Sequence, residues 1–179
     1  MTGLIALMFL SMAGMARAQG STYSAPPTKN SRLSPEEAVN WINTTHLWIP
    51  DDVGILRGAI VQYNNKFDPS LQALARAHGF ALITVNNYYF NTLDLEESVN
   101  FKKDLQWYAT QSGHAEIVYL PFIFTGWSKG GQVAYAFNAV MPERTIAFIA
   151  NKGPFYFAPS SAAAQKTPSI LVAVNWMIR

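Results

Sequence analysis

Gly126-Trp127-Ser128-Lys129-Gly130 sets a serine two residues from a glycine on either side. The spacing fits a serine hydroxyl presented as a nucleophile on a tight turn between a strand and a helix. There the flanking positions must lack Cβ bulk, and the serine itself holds a strained backbone conformation. A hydroxyl becomes a working nucleophile only beside a general base, commonly a histidine oriented by a third group. All three histidines (His46, His78, His114) and all five aspartates precede Ser128. The 51 residues after it contain no His, no Asp and a single carboxylate side chain, Glu143. The chain carries a nucleophile without an evident means of activating it.

The bland alternative is a Ser/Gly turn with no chemistry, and the flanking sequence weighs against it. Leu120 to Thr125 (LPFIFT) is apolar and rich in β-branched and aromatic residues, as a buried parallel strand should be. Gln132 to Met141 reads as a helix closed by Pro142. Upstream, Ser34-Pro35-Glu36-Glu37 is a capping box with proline at the first helical position, predicting a helix to about Thr44. Ile55 to Tyr63 is the first expected strand. Asp68-Pro69 opens a helix that Gly79 ends, and Phe80 to Val85 is the next strand. Asp94 and Glu97 form a second capping box for a helix to about Gln111. Thr145 to Ala150 and Ser169 to Val174 are two further apolar strands, separated by the small-residue connection Ser160 to Thr167. Strands alternating with helices predict an α/β domain, a mainly parallel sheet covered by helices on both faces.

Composition bounds the rest. The 179 residues suit one domain, and 50% hydrophobic content is ample for a core. Net charge is only +2 with no basic run, so a nucleic-acid partner is unsupported. Leu4 to Leu10 and Ala16-Arg17-Ala18 resemble the apolar core and cleavage pattern of a secretory signal over residues 1–18. The apolar stretch is too short to span a bilayer, so no stable membrane insertion is expected. Residues 19–33, rich in Ser, Pro and Thr, read as a flexible lead-in to a domain over 34–179. The location implied is secreted or periplasmic, and the absence of cysteine is compatible with it.

The chain resembles a secreted α/β-hydrolase of the esterase and polyhydroxyalkanoate-depolymerase type over about residues 35 to 175. The resemblance rests on the strand followed by a helix opened with Asp68-Pro69, on HGFALITV (78–85), and on SGHAEIVYLPFIFTGWSKGGQVAYAFNAVMPER (112–144). It implies that Ser128 is the nucleophile of a carboxylic ester hydrolase working through an acyl-enzyme, without metal or other cofactor, on a small-molecule or polymeric ester. It implies an oxyanion hole from the backbone N–H of Lys129 and one from the loop after an early strand, where Tyr63 and Asn64 are equal candidates. In such proteins the catalytic acid and histidine follow the serine. Here the strand Ser169 to Val174 runs into five last residues without either, so the fold is expected to be incomplete at the C-terminus and the chain inactive. A non-catalytic binding protein on the same scaffold is the competing reading, and a triad completed by another subunit is a third.

Other residues invite chemistry and have plainer explanations. His114 falls on a turn before the serine strand, at the sheet edge away from the strands' carboxyl ends where ligands bind. His78 ends a helix, His46 follows one, and Asp51-Asp52 is a solvated turn. Glu143 lies on the order of 15 Å from Ser128, at the far end of its helix. Trp107 and Tyr108 are expected to pack, whereas Tyr88 and Tyr89 follow a strand's carboxyl end and are candidates to line a substrate pocket. Asn43-Thr44-Thr45 matches a glycosylation sequon.

Overall fold

The computed structural model describes residues 19–29, 42–87, 95–152 and 169–172. The expected signal segment, most of the helix from Ser34, the connection 160–167, Tyr88 and Tyr89 lie outside them. Strands β1 (Gly20–Ser24), β2 (Thr28–Lys29) and β3 (Ile42–Pro50) come first, then β4 (Gly58–Tyr63), helix α1 (Pro69–His78) and β5 (Phe80–Asn86). Helix α2 (Leu95–Ser112), β6 (Phe122–Trp127), helix α3 (Lys129–Val140), β7 (Thr145–Asn151) and β8 (Ser169–Val172) complete the order. The sheet runs β1-β3-β5-β4-β6-β7-β8, with β2 also on β3. From β5 through β8 every pairing is parallel, while β3 is antiparallel to β1, β2 and β5.

The parallel half matches the expected order of strands and helices, including the caps of α1, while Asp94 of the second expected capping box lies outside the described residues. Asp68 accepts hydrogen bonds from the N–H groups of Ser70 and Leu71 at 2.7 and 3.2 Å, and Gly79 closes α1 in the left-handed conformation. The antiparallel half corrects the sequence reading. Residues 20–24 and 28–29 of the supposed flexible lead-in are strands, and β3 occupies the end of the supposed first helix. The inward positions of β3 begin with polar Asn43 and Thr45, and from Leu47 both faces are buried. A strand with that pattern shows no simple apolar alternation. Asn43 is 1% exposed, which removes the sequon as a glycosylation site in the folded chain.

Strand alternation divides the core into two layers. Leu47, Val61, Ile83, Phe122, Phe124, Phe148 and Ala150 face α2 and α3. Helix α2 presents Phe101, Leu105 and Tyr108 to them at helical spacing, and Phe124 stacks on Phe137 of α3 at 5.0 Å between centroids. On the opposite face, Trp48, Leu82 and Ile60 pack under Ala75 of α1. A buried polar chain ties α2 to the N-terminal strands. The Tyr108 hydroxyl donates to Thr45 Oγ1 at 2.7 Å, and Thr45 donates to Asp104 Oδ2 at 2.9 Å. The β6–β7 pairing carries a bulge: Phe122 opposes Thr145 but Ile123 opposes Ala147, leaving Ile146 over.

Arg144, before β7, holds the turn that precedes β6. Its guanidinium donates to the carbonyls of Leu120 (2.7 and 3.0 Å) and Ile117 (3.4 Å) and lies 4.4 Å over the Phe122 ring. Arg144→Ala should cost about 2 kcal/mol in urea unfolding, because it leaves a buried carbonyl unpaired. Arg144→Lys should recover less than half, lacking the planar fork. Glu116 makes a second tie, accepting from Leu56 N–H at 2.9 Å and pairing with His114 at 2.8 Å. Burial alone would raise its carboxyl, but these bonds outweigh it and hold the group below its ordinary 4.5. A depressed folded pKa means stability present above the unfolded value and lost as pH falls through the folded one. The drop in urea midpoint between pH 7 and pH 3 should therefore be smaller in Glu116→Gln than in the parent.

Candidate active site

Ser128 sits between β6 and α3, exposed, with φ 54° and ψ −123°. A non-glycine residue there is strained by about 1–3 kcal/mol and must be held by its surroundings. Three contacts do so. The Ser128 N–H donates to the carbonyl of Asn151 at 2.8 Å, tying the turn to the end of β7. The Ser128 carbonyl accepts from Gly131 and Gln132, at 2.9 and 3.3 Å, and starts α3. A Cβ on Gly126 would collide with the backbone of Gly130, and one on Gly131 would come within 3.0 Å of the Asn151 carbonyl. The glycines are therefore required by close approach of strand to helix, as the sequence spacing suggested.

The other expected site residues are only partly assembled. Lys129 is the first residue of α3, so its backbone lies at the positive end of the helix dipole beside Ser128. Burial lowers the pKa of its side chain. Tyr63 ends β4, and its side chain walls the turn: a Cβ on Gly130 would come within 2.8 Å of the Tyr63 Cβ and 3.0 Å of its ring. Burial raises the pKa of its hydroxyl, against a smaller opposite effect from a hydrogen bond to the Asn87 backbone. Of the two candidate backbone donors after β4, the geometry sets Asn64 aside. Its N–H donates to the Val85 carbonyl at 3.0 Å, in the β4–β5 ladder. Ala59 donates to Pro121, so alternation turns the N–H of Tyr63 towards β6, the strand that leads to Ser128.

None of the three histidines approaches the serine. His114 precedes β6 at the opposite sheet edge, where it pairs with Glu116, and His78 ends α1 at that same edge. His46 is on β3, not after a helix, and its Nδ1 lies 2.7 Å from the Ser24 hydroxyl. Three strand spacings separate it from β6, roughly 14 Å at about 4.8 Å each. Asp52 pairs with Arg76 at 3.0 Å on the surface. No group of three or more metal-ligating side chains occurs among the described residues. Within those residues no helix is long and apolar enough to cross a membrane. Two features escaped the sequence reading. Asn87 after β5 and Lys152 after β7 share the positive φ of Ser128, at 59° and 53°. The three strands run parallel, so strained residues line one edge.

No family model matches the chain, and no curated protein matches it. Solved structures do. A thermostable esterase is 14% identical with a TM-score of 0.55, over 85% of this chain and 45% of its own. The feruloyl esterase module of Clostridium thermocellum, in complex with sinapinate, is 9% identical with a TM-score of 0.53, over 85% and 62%. The fold is that of the α/β-hydrolases. The chain spans less than two thirds of the length of either protein.

The strain at Ser128 is measurable. Ser128→Gly should raise stability by about 1 kcal/mol over Ser128→Ala, since glycine adopts this conformation without penalty. Gly126→Ala should lower it by more than about 3 kcal/mol, because the added methyl meets backbone. Urea midpoints of the three variants check both signs.

Proposed function

We propose that Ser128 is the nucleophile of a carboxylic ester hydrolase. The observation that carries this is its backbone: an exposed serine at φ 54°, pinned by Asn151 and flanked by glycines that admit no side chain. In this reading Ser128 Oγ attacks the ester carbonyl carbon and its proton passes to the departing alcohol. Water then cleaves the acyl-serine ester and returns the proton to Oγ. The carbonyl oxygen, negative in the tetrahedral intermediate, is assigned to the Lys129 N–H at the head of α3, with Tyr63 as the second donor. Tyr88 and Tyr89 remain our candidates for the pocket wall. The substrate is a small-molecule or polymeric ester, as in the esterase and polyhydroxyalkanoate-depolymerase type, and residues 1–18 direct export.

The distance of all three histidines from Ser128 favours a second reading, a binding protein on the same scaffold. Without an imidazole in reach the serine keeps ordinary, weak nucleophilicity. Catalysis is then limited to roughly 10³–10⁴ over water, from the oxyanion hole and binding alone.

Hydrolysis of p-nitrophenyl acetate by the 179-residue chain should be barely above background and little changed by Ser128→Ala. Adding imidazole as an external base should raise the rate of the parent above that of Ser128→Ala, with an acetyl group found on Ser128 by mass spectrometry. Equal rates with no acetylated serine would favour the binding protein. Strong activity without imidazole, abolished by Ser128→Ala, would reveal a base in the chain that the described geometry does not supply.

A further inference from the structure

Two hydroxyls of this chain stand in opposite situations. Ser128 has a backbone N–H beside it, that of Lys129 at the head of α3, and no described imidazole within reach. Ser24 has the imidazole. It ends β1, directly opposite His46 on β3, and its Oγ lies 2.7 Å from His46 Nδ1. A hydroxyl in hydrogen-bond contact with a base is the first requirement of a serine nucleophile. Two other serine hydroxyls have poorer partners. Ser21 donates to the Asp51 carboxylate at 3.2 Å, and Ser112 to the Tyr108 carbonyl at 2.7 Å. A peptide carbonyl takes no proton near neutral pH, and a carboxylate is a far weaker base than an imidazole.

The fold holds the pair from behind. Thr45 and Leu47, on either side of His46, are buried, and Thr45 is bonded to Asp104 and Tyr108 of α2. Tyr23 packs against the same core, and Ala25 is buried in it. Strand alternation therefore turns Ser24 and His46 to the opposite face. There the apolar row Trp48–Leu82–Ile60 under α1 gives way, one step along the strands, to His46–Thr84–Gln62. Ser24 is exposed and His46 half-buried, on the outermost pair of long strands at this side of the sheet. A small electrophile reaches the hydroxyl without displacing the core. The segment after Ser24 offers no oxyanion donor. The Ala25 N–H points to the Tyr108 hydroxyl at 3.4 Å, and Pro26 and Pro27 have no N–H.

We propose that Ser24, with His46 as its base, is an acyl-acceptor site for small activated aryl esters, separate from Ser128. Ser24 Oγ attacks the ester carbonyl carbon while its proton passes to His46 Nδ1. The bond from that carbon to the aryl oxygen then breaks, the phenolate leaves with the electron pair, and the imidazolium gives its proton to solvent. The acyl group stays on Ser24. Without a donor for the carbonyl oxygen, only an ester with a good leaving group reacts, and the resulting acyl-serine, an alkyl ester, is hydrolysed slowly. The site fills once instead of turning over.

The test is mass-spectrometric mapping of the full chain after reaction with p-nitrophenyl acetate near neutral pH, without imidazole. A single burst of p-nitrophenolate and an acetyl group on Ser24 are expected. His46→Gln should slow acetylation of Ser24 about a hundredfold, the lower end of what a general base contributes. Ser21→Ala should leave it unchanged. In His46→Gly, added imidazole should restore acetylation of Ser24 above that of the exposed Ser21 and Ser70, which a merely structural role of His46 would not produce. An unmodified Ser24, acetyl groups spread evenly over the exposed serines or lodged on His46, or acetylation of Ser24 as fast in His46→Gln, would each overturn the site. The hydrolase reading is tested apart from it, because its acetyl group sits on Ser128 and requires imidazole in the parent chain.

Discussion

The close passage of β6 against the first turn of α3 constrains everything around it. Strand and helix meet backbone to backbone at Gly126 and Gly130, with no room for a methyl group between them. The residue joining them has to reverse direction in one step, and the left-handed backbone of Ser128 is that step. The turn would relax if left alone. It is held because Asn151 grips it from the neighbouring strand and Tyr63 backs it from β4. An exposed serine is thus placed by three strands, through its own backbone and the glycines beside it.

That arrangement explains why the two faces of the sheet differ. The α2/α3 face must be rigid, since any slack there would reach Ser128. It is filled with aromatics in mutual contact, Phe101, Phe122, Phe124 and Phe137, at ring separations of 4.9 to 5.7 Å. The α1 face carries less of that burden. Its apolar layer is confined to the row under a ten-residue helix, and polar side chains take over beyond it. Packing density and chemical variety are separated onto opposite sides of one sheet.

Much of the parallel half was legible because each element has local causes. Asp68 and Gly79 bracket α1 by their own hydrogen bonds, and the strands from β4 onward are short apolar runs. The antiparallel half was not, because its causes are distant. Thr45 is buried in β3 only since Tyr108 and Asp104, on a helix 59 and more residues away, supply its hydrogen bonds. Nothing near Thr45 in the chain announces that. Within the site, the glycine spacing revealed the turn, whereas the loss of Asn64 as a donor follows from a ladder bond to Val85. Exposure of Trp127 was equally out of reach, since a tryptophan after an apolar strand reads as core.

The bulge in β7 bears on how this chain tolerates change in length. A strand normally cannot lose one residue, because every side chain beyond the deletion moves to the wrong face. In β7 the pairing already skips Ile146, a half-exposed residue with no opposite number on β6. Removing it would bring Thr145 and Ala147 into direct succession opposite Phe122 and Ile123, leaving Phe148 and Ala150 facing α3 as before. The strand that anchors Ser128 through Asn151 therefore carries a spare residue, and a one-codon loss there shortens the chain without shifting its register.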